Sequence, residues 1–550
     1  MAARLEQLAV LLREQGADRY KLRAYRNAAA SLRSYPANVA RMVTAGEDLR
    51  SVPGVGKSIA SAIREIIKTG GLKTAERLGG GESKVAVEVA AAAGVPLREA
   101  RRIVEELKVG SVEELARALE DNEALSGVHP KFAFQLRRWL TGAQEVLWAD
   151  AEYLSGTFER VIAGGRDVRR VEVAGEVRRG VETVGALAYV VECATAEALV
   201  EALQAHAGLS RVERAKPNLV TARLAAGPEL RVRRAGEGDW GDALAEETGS
   251  SAHLAEVRRV VGRKRFAPAA TEDEWYEVRG LGWIPPEFRE GRGEVAAAAD
   301  GSLPQLIELA DIRGDLHCHT TASDGANTLS EMVAAARAKG YSYLCITDHS
   351  KSLKITRGLD EKRLAEQARQ IDAMNRRLKG FRVLKGSEVD ILADGSLDFS
   401  DETLATLDIV IGSIHSRFGL DKEQQTARLL RAVSNPYLTC IGHMTGRLLL
   451  KRPGYEFDVD RVLKAVKQHG KLLEINSSPD RLDIDDELAM QARGLGIPLL
   501  INTDAHSTRE LEFMRYGVQQ GRRGWLSKAE VLNTLPLSAL LRRLRATFPR

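Results

Sequence analysis

Nine side chains of metal-ligand type stand at the ends of short apolar runs between residues 311 and 550. The runs are IRGDLHCH (312–319), YLCITDH (343–349), VLKGSE (383–388), DIVIGSIH (408–415), YLTCIGH (437–443) and PLLINTDAH (498–506). The residues are His317, His319, Asp324, His349, Glu388, His415, His443, Asp504 and His506, and they use six of the chain's 10 histidines. Imidazoles mixed with carboxylates and no thiolate suit Zn²⁺, Mn²⁺ or Fe²⁺ better than Mg²⁺ or Ca²⁺. Water on such an ion loses a proton near neutrality, and paired ions neutralise phosphate oxygens. Hydrolysis of a phosphoester is the chemistry this set suits.

The spacing also says what must carry these groups. Side chains alternate across a strand, so His317 and His319 face one way, as do Asp504 and His506, while Cys318 and Ala505 face the other. Between the runs lie helical patterns such as NTLSEMVAAARAKG (327–340) and LDEKRLAEQARQIDAMNRRLKG (359–380). Strands alternating with helices predict a parallel sheet, here closed as a barrel. Chemistry in such barrels collects at the C-terminal strand ends, where all nine residues fall.

Segment 312–507 resembles the PHP (polymerase and histidinol phosphatase) phosphoesterase domain, a distorted (β/α)₇ barrel. The likeness rests on DLHCHTTASDG (315–325), TDHS (347–350), GSEVDI (386–391), GSIHS (412–416), IGHMTGR (441–447) and NTDAH (502–506). It implies a three-metal cluster of Mn²⁺ and/or Zn²⁺. His317, His319, Glu388 and Asp504 would hold the first ion; Glu388, His415 and His443 the second; Asp324, His349 and His506 the third. Glu388 would bridge the first two, and Glu388, His415 and Asp504 are the expected catalytic residues. Arg447 and Lys451, just after the His443 run, are candidates for gripping a second phosphate, with a solvated basic loop as the alternative.

At 550 residues the chain has room for three or four domains. With 28% charged and 44% hydrophobic residues it reads as soluble and globular. No apolar run reaches the roughly 18 residues a membrane span needs, and no signal peptide opens the chain. Cys193, Cys318, Cys345 and Cys440 have no paired spacing, which predicts reduced core thiols and a cytoplasmic protein. The net charge of +4 decides nothing. No internal repeat or heptad argues for assembly, so a monomer is expected.

Residues 1–77 read as helices, and LRSVPGVGKSIASAI (49–63) fits a helix-hairpin-helix. Pro53 and Gly54 set its turn, Gly54 and Gly56 let backbone N–H groups approach a phosphate, and Lys57 adds charge. Tyr20, Lys21, Arg23, Tyr25 and Arg26 flank it. Such contacts fix position without reading sequence. The stretch resembles the N-terminal domain of family X DNA polymerases, which grips the 5′-phosphate side of a gap. No lyase lysine is assigned. A second hairpin near 126–140 has His129 where glycine is usual.

Residues 145–310 continue that resemblance: VEVAGEVRRGVETVGALAYVVE (171–192) looks like the family's palm, TGSSAHLAEVR (248–258) and IPPEFREGRGEVAAA (284–298) like further landmarks. The departures are at the catalytic positions. The serine of the phosphate loop is Glu176, the two aspartates correspond to Ala186 and Ala188, and the third carboxylate position is Glu229. Methyl groups cannot hold the paired ions nucleotidyl transfer needs, so polymerase activity is expected to be absent. Arg178, Arg179, Arg231, Arg233 and Arg234 suggest a basic DNA-facing surface, Arg178 and Arg179 foremost, and RVVGRKRFAP (258–267) is a further basic stretch.

The expected organisation is a helix-hairpin-helix DNA-end domain (1–77), a fingers-like helical domain (78–144), an α+β nucleotidyltransferase-like palm and thumb (145–290), a linker (291–310) and the α/β PHP barrel (311–550). The expected function is DNA processing at gapped, nicked or single-stranded ends, as a Mn²⁺-dependent 3′–5′ exonuclease with abasic-site cleavage as a second activity. A small-molecule phosphatase and a non-catalytic DNA-end scaffold are the competing readings, and residual polymerase activity a third.

Overall fold

The computed structural model describes residues 1–34, 39–52, 54–80, 83–119, 128, 130–140, 144–206, 209–224, 227–262 and 264–548. Pro53 of the first hairpin and His129 of the expected second one lie outside them. Helices α1 (Ala2–Glu14), α2 (Arg19–Ser34) and α3 (Lys57–Thr69) enclose a core that includes Leu5, Leu8, Leu49, Ile59, Ile63 and Ile66. A second helical group between residues 84 and 140 has its own core around Val89, Leu97, Ile103, Leu115 and Leu136.

Next comes a mixed five-stranded sheet of β1 (Val168–Ala174), β2 (Ala186–Cys193), β3 (Leu209–Lys216), β4 (Leu219–Leu224) and β5 (Glu229–Ala235), in the order β1-β2-β5-β4-β3. Only the β2–β5 pair is parallel. Alternation along β2 sends Leu187, Tyr189 and Val191 into one core with Phe158 and Ile162, and Ala188 and Val190 into another with Trp240 and Leu244. The stretch expected to be a linker is ordered instead. Its alanines form the helix Glu294–Asp300, whose Val295 and Ala298 join a core with Trp275, Tyr276 and Phe288. Small residues that read as spacer composition here permit close packing.

The barrel strands are β6 (Gly314–Asp315), β7 (Tyr343–Ile346), β8 (Arg382–Asp390), β9 (Ile409–Ser413), β10 (Cys440–Ile441), β11 (Leu472–Asn476) and β12 (Leu499–Asn502). They run parallel in sequence order, β6 to β12. Near-closure comes from a parallel bridge between Cys318 and Ala505, with His319 N–H donating to the Ala505 carbonyl at 2.8 Å. Buried Asn533 ties the two edge strands, donating to the carbonyls of Gly314 (3.0 Å) and Ile501 (2.9 Å).

The interior is layered by the two-residue period. Tyr343, Cys345, Leu384, Ile409, Ile411, Cys440, Leu472 and Leu500 point inward at the bottom, plugged by Leu540 and Leu544 of the helix Leu537–Arg545. Above them comes a layer that must be small: a Cβ on Gly442 would stand 2.6 Å from Ser413 Oγ, and one on Gly386 2.7 Å from Cys345 Sγ. The next inward positions hold the metal-type side chains.

Candidate metal centre

His349, Glu388, His415 and Asp504 continue the inward register of β7, β8, β9 and β12, which is why residues far apart in sequence meet. Glu388 is at the middle, 1% exposed. Its Oε1 lies 2.8 Å from His443 Nε2 and 3.2 Å from His415 Nε2. Its Oε2 lies 2.8 Å from His349 Nδ1 and 3.5 Å from both His317 Nε2 and His319 Nε2. Asp504 Oδ1 approaches His319 Nε2 at 3.0 Å and His317 Nε2 at 3.4 Å. Asp324 Oδ1 lies 3.5 Å from His349 Nε2 and 3.4 Å from His506 Nε2.

Ligand atoms within 4.8 Å of one another define three groups: His317, His319, Glu388 and Asp504; His349, Glu388 and His415; and His319, Asp324, His349 and His506. All nine expected residues therefore gather in one place, with His443 joining through Glu388. Buried His317 Nε2, His349 Nδ1 and Glu388 Oε2 line the cluster without an aligned hydrogen bond among the described residues, although His349 Nδ1 and Glu388 Oε2 are 2.8 Å apart. Buried polar atoms are rarely left so, and cations held between these groups would satisfy them. The donor set fits a transition-metal ion. Two of its members, His443 (φ 28°) and Asp504 (φ 55°), hold positive-φ backbones, uncommon outside glycine and found at functional sites.

The electrostatics carry the same message. Burial opposes charge on His317, yet Glu474, Asp504 and Glu388 drive it well above the ordinary imidazole range. Against the same opposition, Glu388 and Asp324 push His349 up to about 10, and Asp324 and Asp504 push His506 up to about 9. Burial, reinforced by His349 and His506, takes His319 down to about 4. Glu388 and Asp504 are held well below the usual carboxylate range because the histidines outweigh their burial. A divalent ion bound here would displace protons from the imidazoles and supply the charge itself.

A ring of outer partners was not singled out from the sequence. Glu474 accepts from His317 Nδ1 (2.7 Å) and the backbone N–H of His443 (2.9 Å). Asp390 lies 2.8 Å from His415 Nδ1, and Asn476 donates to Asp504 Oδ2 at 3.0 Å. Asp348 fixes the loop before Asp324 by accepting from Thr320 N–H (2.8 Å) and Ser323 Oγ (2.5 Å). The available signal was position: Asp390 is two residues beyond Glu388, and Glu474 sits on β11, the one barrel strand that contributes none of the nine residues.

A helix-hairpin-helix domain family matches residues 1–72, and the PHP domain family matches residues 315–478. The DNA polymerase/3′-5′ exonuclease PolX of Bacillus subtilis (strain 168) is 34% identical over 556 residues, covering 97% of this chain and 96% of that protein. The chain belongs to this family X polymerase/exonuclease family. Over part of its length the chain also resembles probable phosphatases. That of Thermoanaerobacter sp. (strain X514) is 29% identical over 231 residues, 40% of this chain and 89% of the relative. That of Caldicellulosiruptor saccharolyticus is 34% identical over 205 residues, 35% of this chain and 79% of the relative.

The other expected residues of this family X chain divide into two groups. In the hairpin, a Cβ added to Gly54 (φ 76°) would stand 3.7 Å from the backbone N of Ala28, so the turn lies against α2. Gly56 caps α3, and Arg23, Arg26 and Lys57 are exposed. The DNA role expected of Arg178 and Arg179 is corrected by the fold. Arg178 makes two 2.7 Å hydrogen bonds to Glu272, and buried Arg179 donates to Glu290 (2.9 Å) and the Thr248 carbonyl (2.7 Å). Arg233 pairs with Glu246 at 2.9 Å, and Arg231 approaches Glu247 at 3.9 Å. These arginines pair with carboxylates between residues 246 and 290. Arg447, expected at a phosphate, instead pairs with Glu182 and donates to the Arg481 carbonyl at 3.0 Å. Lys451 is exposed and pairs with Asp480 at 2.9 Å. No helix among the described residues is long and apolar enough to cross a membrane.

Proposed function

We propose that this protein is a metal-dependent DNA phosphoesterase that trims DNA 3′ ends with Mn²⁺ in its barrel, and that its palm no longer polymerises. The observation that carries the reading is the convergence of nine metal-type donors in one pocket of a chain that also carries a helix-hairpin-helix. The 3′–5′ polarity is that printed for the Bacillus relative. Cleavage at abasic sites is a further reaction of the same centre.

His317, His319, Glu388 and Asp504 would hold one ion, Glu388, His415 and His443 a second, and Asp324, His349 and His506 a third. When bound, such ions supply hydroxide at neutral pH and neutralise the phosphate. The protein's part is orientation: Glu474, Asp390 and Asn476 fix the ligands His317, His415 and Asp504, and Glu388 lies between the histidines. Arg23, Arg26, Lys57 and the N–H groups beside Gly54 and Gly56 hold the backbone of a gapped, nicked or single-stranded end. The proposed domains are 1–77 for the end, 78–144 as fingers, 145–290 as palm and thumb, and 311–550 for hydrolysis, in a cytoplasmic monomer.

Three features support loss of polymerisation. Ala186 and Ala188 offer no ligand atoms, and Ala188 packs in the core with Trp240. In the parallel β2–β5 register Ala186 lies beside Glu229 and Ala188 beside Arg231, so one carboxylate and one cation face the sheet positions in question. The Glu176 carboxylate accepts from the N–H groups of Gly185 (2.7 Å) and Ala186 (3.1 Å). It thereby places negative charge at the loop where a triphosphate would sit.

The phosphatase relatives favour a second reading, hydrolysis of a small phosphomonoester. Glu388→Ala in the full chain tests both. It is expected to abolish Mn²⁺-dependent cleavage of a DNA oligonucleotide while DNA binding persists. Nuclease activity unchanged by Glu388→Ala overturns the proposal, and phosphomonoester turnover with no DNA cleavage by the wild type moves it to the second reading.

A further inference from the structure

With Arg447 committed to Glu182, a different arginine reaches the cluster. Arg481 Nε lies 3.9 Å from Asp504 Oδ2, and its side chain is 20% exposed. Asp504 Oδ1 faces His317 and His319, whereas Oδ2 takes the Asn476 amide, so Arg481 stands on the non-ligand side of that carboxylate. Among the described residues its guanidinium meets no hydrogen-bond acceptor. Five donors fixed in a planar fork suit the oxygens of a phosphate. A second cation is close. Arg452 stacks on Phe418 at 4.0 Å, and burial, then the charge of Arg481, lower its guanidinium below the usual arginine range.

The backbone of Arg481 is held from two sides. Its N–H donates to the Ser478 carbonyl at 2.8 Å, just beyond β11. Its carbonyl accepts from Arg447 Nε at 3.0 Å, and Arg447 pairs with Glu182, next to the sheet that has lost its aspartates. Gln520 donates to the same Glu182 oxygen at 2.5 Å. The next residue, Leu482, is 1% exposed and belongs to the core of that sheet with Trp148 and Tyr516, whose rings meet edge to face at 5.3 Å. A one-residue step therefore links the palm core to the mouth of the metal centre.

We infer that Arg481 binds a phosphate oxygen of the DNA terminus held at the cluster, and that the palm, through Glu182 and Arg447, positions it there. This rests on the phosphoesterase reading above. It gives the palm a purpose without polymerisation.

The test uses the full-length Mn²⁺-loaded protein and inorganic phosphate as probe, with bound metal measured on each sample. Calorimetry reads phosphate binding directly, and inhibition of oligonucleotide hydrolysis reads it again. Charge-assisted hydrogen bonds of this kind correspond to roughly a 10–100-fold change in affinity. Arg481→Met is expected to weaken phosphate binding by about that factor and to raise KM for DNA, with metal content unchanged. Arg481→Lys should recover part of the loss, and Glu182→Gln should shift both readouts in the same direction by less. Phosphate affinity unaltered in Arg481→Met overturns the inference. So does loss of metal in step with loss of phosphate binding, which would make Arg481 a support for Asp504. If the wild type cleaves no DNA, the DNA-directed reading fails, and the calorimetric comparison still decides whether Arg481 binds phosphate.

Discussion

Replacing Glu474 by glutamine changes one atom in a fully buried side chain and should be felt at two of the proposed metal ligands. Every neighbour of this carboxylate donates to it: His317 Nδ1 at 2.7 Å and Asn502 Nδ2 at 2.9 Å on Oε1, and the His443 N–H at 2.9 Å on Oε2. An amide must turn its NH₂ toward one of these, so donor meets donor whichever way it flips. If it meets His317, the imidazole no longer keeps its proton on Nδ1 with Nε2 free for a ligand. Losing an outer partner of this kind typically costs 10–100-fold in metal affinity, or about 1.4–2.7 kcal/mol. Glu474 serves His317 and His443 together, so Glu474→Gln should fall near the upper end. One unsatisfied buried donor costs about 1–3 kcal/mol of stability, which for a domain of this size is about 3–10 °C in Tm. Competition of Mn²⁺ binding against a chelator of known affinity gives the first quantity and thermal unfolding the second. A Glu474→Gln protein that binds Mn²⁺ as tightly as the wild type would refute the reasoning.

Two further outcomes follow from other parts of the chain. Lys57→Ala combined with Arg26→Ala should weaken DNA binding and reduce the slope of log affinity against log salt by about 2; a slope identical to the wild type removes both residues from the interface. Glu272 is held between Arg178 and Arg289, with hydrogen bonds of 2.7 and 2.5 Å; burial opposes the shift, but these arginines take its carboxyl from 4.5 down to about 2. A depressed carboxyl stabilises the fold above its unfolded value, and this is lost as pH falls from 4.5 toward about 2. Roughly 3 kcal/mol, to order of magnitude, is at stake across that window. Acid unfolding monitored by tryptophan fluorescence should lose its steep limb there in Glu272→Gln, and an identical acid profile contradicts the assignment.

The gathering of metal-type side chains was legible because its information is local: a two-residue period places His317 with His319, and successive strand ends repeat the donor. The hairpin was legible for the same reason, since Gly54, Gly56 and Lys57 stand on either side of one turn. What the sequence hid was the partner of each charge. Arg178 and Arg179 show two positive charges, but Glu272 and Glu290, which bury them, lie 94 and 111 residues further on. Arg447 is 265 residues from Glu182, so its proximity to His443 suggested a phosphate site where the fold makes a tie between domains. Glu474 went unseen because LLEIN has no histidine to mark it. The alanines of 294–300 looked like spacer because composition does not reveal what Val295 packs against.

The most direct test of the central claim is one gel: a 5′-labelled primer on a gapped template with the full chain in Mn²⁺, with and without deoxynucleoside triphosphates. Progressive shortening in both lanes is the predicted result, with Ala186 and Ala188 leaving no extension to oppose it. Extension of the primer when triphosphates are present, or a primer untouched in both lanes, would contradict the account.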